Sequence, residues 1–164
     1  MDWHVRAFLK ASLAWLTAGV TLGVAMAAHP VWTIYRPAHV HMNLLGFVTM
    51  MIYGVAYHVI PRFTGHPLFS VRAARSQWWL SNAGLALMVV GFAVRAHALP
   101  SGTPLLATGG TLAAAGAYTF VYVIWRTLDG PAGMRAAMRR TEQTMAASPR
   151  PKLPVATSAK SVER

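Results

Sequence analysis

Four apolar stretches, at about residues 7–28, 38–60, 77–97 and 104–125, constrain this chain more than any other feature. Each comes close to the ~20 residues that a helix needs to cross the hydrocarbon core of a bilayer. A soluble domain carries roughly a quarter charged residues; here the charged fraction of the 164 residues is 12%, against 55% hydrophobic. The expectation is an all-α protein, a polytopic membrane four-helix bundle. Residues 1–128 form its transmembrane domain, and residues 129–164 a basic, largely disordered cytoplasmic tail. Lys10 precedes an apolar run ending Ala25-Met26-Ala27, but that run is longer than a signal-peptide core and reads as a retained first span.

The net charge of +11 is a matter of placement. Thirteen of the fifteen Lys and Arg residues fall before the first span, between the second and third, or after the fourth; only Arg36 and Arg95 fall on the other side. This positive-inside bias puts both termini in the cytoplasm, and localisation in a bacterial inner membrane as a multi-pass protein follows. The basic charge then serves topology and attraction to membrane lipid, with no nucleic-acid partner. There are no cysteines, so any metal must be held by His, Met or oxygen ligands. Asp2, Asp129, Glu142 and Glu163 are the only carboxylates and all lie outside the spans, which excludes carboxylate chemistry within the bilayer.

Punctuation marks the connections. Pro30 stops the first helix, and His29 to Pro37 is expected as an outer loop, with Trp32 and Tyr35 at the interface. The second helix is expected from Ala38 to Ile60, ended by Pro61. Trp78 and Trp79 mark the start of the third, and Pro104 opens the fourth. One short basic amphipathic turn is expected after Gly133. Gly84, Gly91, Gly109, Gly110 and the Ala113–Gly116 run allow close helix approach, or leave room for a flat cofactor.

Histidine is where chemistry enters, because an ionisable side chain inside a span is by default a functional candidate. Topology places His29, His39, His41 and His97 near the outer ends of the spans, and His4, His58 and His66 toward the cytoplasm. His41 and His58 lie about 25 Å apart along a straight helix and cannot share an ion. His39 and His41 differ by about 200° around the helix axis. One arrangement points His41 inward, with His39 in the first turn toward the interface or a loop. His97 is then the second ligand candidate and His29 the reserve, while His4 and His66 read as ordinary loop residues. Arg36 and Arg95 lie within a few residues of these histidines and suit pairing with carboxylates.

The segment His41-Met42-Asn43-Leu44-Leu45, followed by Gly46-Phe47, Gly54-Val55-Ala56-Tyr57 and Pro61-Arg62, resembles the second transmembrane helix of subunit I in haem–copper oxidases. It is most similar to cbb3-type oxidases and nitric oxide reductases, and in particular to short four-helix proteins described as cbb3-type subunit I-like. The resemblance implies that His41 is an axial ligand of a low-spin haem b near the outer face. It also implies electron transfer, or binding or sensing of a diatomic gas such as NO or O2. The later helices that supply the copper and catalytic-haem ligands in that family have no counterpart here, and the fourth span has no histidine. The chain is therefore not expected to be an enzyme on its own. The second axial position falls to His97, to His29 or His39, to another copy in a homodimer, or stays open. Two alternatives stand beside this reading. One is a copper site built from Met26, His29, His39, His41 and Met42; the other is a cofactor-free accessory or assembly subunit of a respiratory complex.

Overall fold

The computed structural model describes residues 2–147, all helices and connections among those residues. Helix α1 spans Trp3–Ala28, a 3₁₀ segment follows at Pro30–Tyr35, and α2 spans Arg36–His41. A π-helical stretch, Met42–Thr49, leads straight into α3, Met50–Thr64. Then come α4, Val71–Ala96, α5, Gly102–Asp129, and α6, Ala132–Ala147. Pro30 to Thr64 is one helical run, so among the described residues four helices are long and apolar enough to cross a membrane: Trp3–Ala28, Pro30–Thr64, Val71–Ala96 and Gly102–Asp129. The protein is a multi-pass membrane protein. Among the described residues, 2–130 belong to one compact unit and 131–147 to a second.

Few side chains in the spans are sheltered by protein. Large apolar residues such as Val24, Val40, Leu44, Tyr118 and Trp125 are exposed on the bundle's flanks. A bilayer is as apolar as Leu, so such helices associate by close packing and polar contacts rather than by hydrophobic collapse. The α4–α5 pair shows the packing part. A methyl placed on Gly84 would lie 2.5 Å from the Ala113 nitrogen, and one on Gly109 would lie 2.7 Å from the Gly84 carbonyl. Gly116 takes the Ser81 hydroxyl and Gly91 takes Leu106 in the same way. These glycines serve helix contact, while nothing lies within 4 Å of Gly110. The polar part includes Trp15 Nε1, which donates to Asn82 Oδ1 at 3.1 Å between α1 and α4. It also includes the Phe69 amide, which donates to the Thr127 hydroxyl at 3.1 Å.

Several boundaries differ from the expected ones. The segment His29 to Pro37 is helical for most of its length, since Pro30 sits at the start of the 3₁₀ segment where its missing N–H costs nothing. Pro61 lies inside α3, which continues to Thr64 and ends at Gly65 with φ 74°. Near a C-terminus a proline disturbs a single turn, and Arg62 Nη1 reaches back to the His58 carbonyl there at 2.5 Å. Helix α4 begins at Val71, capped by the Ser70 hydroxyl on the Ala73 amide at 3.2 Å, so Trp78 and Trp79 lie two turns inside it. Helix α6 has sixteen residues instead of one turn. The expected disorder beyond Ala147 lies outside the described residues.

Candidate functional site

The His39-x-His41-x-Asn43 sequence closes α2 and enters the π-helical stretch. Opposite it, α1 carries Gly19 and Gly23, four residues apart and so on one face. His39 and Asn43 are also four apart, and the two pairs interlock. The His39 ring covers Gly23, with Cε1 2.8 Å from where a methyl would stand, and the Asn43 amide covers Gly19 at 2.7 Å. His39 Nδ1–H donates to the Gly19 carbonyl at 2.8 Å, and Asn43 Nδ2 donates to the His39 carbonyl at 2.9 Å. His39 therefore sits half-buried in the seam between α1 and α2, not at a loop or interface. The 3₁₀ segment explains the difference: helix begins well before His39, which removes it from the first turn.

His41 points to the other side. Its ring lies 4.7 Å from that of Phe92 on α4, and its Nδ1–H donates to the Pro37 carbonyl at 2.8 Å. A carbonyl oxygen only accepts, so both His39 and His41 carry their proton on Nδ1, and the neutral ring keeps a lone pair on Nε2. An imidazole that donates one N–H to a carbonyl and offers the other nitrogen is the arrangement found in metal-ligating histidines. The π-helix beginning at Met42 adds a residue to the turn, marked by the Thr49 hydroxyl donating to the Leu44 carbonyl five residues back at 2.8 Å. Such stretches recur at functional sites.

The other sequence candidates partner with aromatic rings of the 3₁₀ segment. His97, exposed at the end of α4, has Nε2 2.8 Å from the Tyr35 hydroxyl. His29 is exposed and packs 5.5 Å from Trp32, which itself lies 6.3 Å from Tyr35. Arg36 and Arg95 are both exposed. The four histidines therefore occupy separate environments. Among the described residues no group of three or more His, Asp or Glu side chains is placed to hold a metal ion. The donor chemistry of His41 suits an axial haem ligand, while His97 is paired with Tyr35 and His29 packs on Trp32.

Sequence reasoning missed a polar group at the opposite end of the bundle. His4 is not a loop residue but part of α1, 2% exposed, with its ring 5.7 Å from Tyr57. The Tyr57 hydroxyl donates to Gln77 Oε1 at 2.6 Å. His4 Nε2, Gln77 Nε2 and Ser81 Oγ are buried without hydrogen-bond partners. The signal was present: His4, Phe8, Ser12 and Gly19 recur at helical spacing and all four are buried.

Residues 3–98, from α1 to the end of α4, match the family described as Cytochrome C and Quinol oxidase polypeptide I. The chain belongs to this family. It is also 30% identical over 102 residues to the Cbb3-type cytochrome c oxidase subunit CcoN1 of Stutzerimonas stutzeri. That alignment covers 53% of this chain and 21% of the relative, so the chain spans about a fifth of that protein's length. The haem–copper oxidase subunit I relationship expected from the His41 segment is thus shown. Helices α5 and α6 lie outside the family match.

Proposed function

We propose that this member of the subunit I family binds haem b through His41 and serves electron transfer or the binding or sensing of a diatomic gas. The observation that carries the reading is the His41 ring itself. Its Nδ1–H is committed to the Pro37 carbonyl, leaving Nε2 as a Lewis base inside a segment matched by the family. A bound haem supplies one-electron chemistry or, with an open axial position, a site for NO, CO or O2. The chain's own residues do the holding. The Pro37 carbonyl fixes the His41 tautomer, Phe92 limits ring rotation, and the His39–Asn43 seam anchors the helix that carries it. Arg36 and Arg95 would pair with the haem carboxylates.

His97 serves as second ligand in this reading only if it leaves the Tyr35 hydroxyl; otherwise that position is open or is filled from a second copy of the chain. Both termini are proposed to face the cytoplasm of a bacterial inner membrane, from the distribution of Lys and Arg. The test is the absorption spectrum of purified protein, oxidised, reduced with dithionite, and reduced under CO. A Soret band that His41→Ala abolishes supports haem ligation, and a CO shift reports an open position. A spectrum without any Soret band after expression with ample haem supports a cofactor-free accessory subunit instead.

A further inference from the structure

The bundle end formed by the start of α1 and the α3–α4 turn contains a cavity of about 630 Å³, which the haem reading does not use. Its lining includes the side chains of His4, Tyr57, Arg62, His66 and Arg75, with Asp2 as the only carboxylate among the lining residues. Two features call for a ligand. His4, 2% exposed, has an unpartnered Nε2, and His66 has a buried, unpartnered Nδ1. A buried polar atom without a partner is costly, so two of them on one cavity mark a place where polar ligand atoms belong.

The charge around the cavity selects the sign of the ligand. Arg62 commits Nη1 to the His58 carbonyl and ring, and its remaining N–H groups are not part of that contact. The Arg75 guanidinium carbon lies over the Trp3 ring, 5.6 Å from its centroid, and the group keeps its charge and five N–H donors. The two guanidinium groups outnumber the single carboxylate. They repel a cation, and among the described residues no three His, Asp or Glu side chains gather to hold a metal. A tetrahedral oxyanion offers several acceptor oxygens to guanidinium and imidazole N–H groups. Leu68 and Val71, also on the lining, provide an apolar rim at the membrane boundary. Basic pockets between spanning helices are where phospholipid headgroups bind.

We propose that this cavity binds a phosphate group, either that of an anionic phospholipid headgroup or free phosphate. The experiment uses the full chain in nanodiscs of phosphatidylcholine, with or without phosphatidylglycerol. Lipid retained after detergent exchange is counted by native mass spectrometry. A parallel arm measures binding of labelled inorganic phosphate by dialysis against the phosphatidylcholine sample. Phosphatidylglycerol retained at one per chain assigns a lipid, and saturable phosphate binding assigns the free ion. In either case R62Q/R75Q weakens binding roughly tenfold or more, while R6Q, at the same end but off this cavity, leaves it unchanged. Both arginines are exposed, so the pair should fold; if it does not, R62Q and R75Q are read singly. The proposal is overturned if neither ligand binds, or if R6Q weakens binding as much as the cavity variants do.

Discussion

Gly23 and His39 show how little slack the site has. A methyl at Gly23 would stand 2.8 Å from His39 Cε1, and the ring cannot swing away without losing its bond to the Gly19 carbonyl. Gly23→Ala is therefore expected to cost about 1–3 kcal/mol, seen as a lower thermal midpoint by circular dichroism in detergent. Gly110→Ala, which meets nothing within 4 Å, should leave the midpoint unchanged or slightly raised. Equal midpoints for the two variants would mean that the seam is not packed as described. The part of this site inside His39-x-His41-x-Asn43 was legible, because histidine in an apolar run is rare and costly. Which way each ring faces was not legible. Gly19 and Gly23 acquire meaning only once they are known to lie opposite α2, and His4 reads as a loop residue because it precedes the apolar stretch, whereas α1 starts at Trp3 and includes it.

At the scale of elements, the spans were legible from their apolar length and their ends were not. Pro61 reads as a stop in the sequence, yet a proline one turn from a C-terminus perturbs only that turn, and Gly65 supplies the actual end. The π-helix at Met42–Thr49 left no trace in the pattern of apolar residues, since it alters the phase of the helix by one residue without changing its composition. The α4–α5 contact is the clearest element-level dependence on small residues. Gly84→Leu would drive a side chain into the Ala113 backbone, where nothing flexible can yield. We expect a loss of about 3 kcal/mol or more, at or beyond the upper end of core overpacking. The variant should be recovered at much lower yield and melt earlier than Val90→Leu, a change on an exposed part of the same helix. A Gly84→Leu protein as stable as Val90→Leu would show that α4 and α5 do not touch through this face.

At the scale of the whole molecule, the family match ends with α4, and α5 packs on α4 from outside it. Orientation is open to direct measurement because the chain has no cysteine of its own. A cysteine at Ser101, in the α4–α5 connection, should react with a membrane-impermeant maleimide in intact cells. One at Pro67, in the α3–α4 turn, should react only after the membrane is opened. The reverse pattern would place the termini outside. The central claim is that His41 is a haem ligand and that its neighbours exist to hold it, and the most direct test is the reduced-minus-oxidised spectrum of three proteins side by side. The unaltered chain should show b-type haem bands, His41→Ala should lose them, and Phe92→Leu should keep them with a shifted maximum. Full haem content in His41→Ala, or no haem in the unaltered chain, would contradict the account.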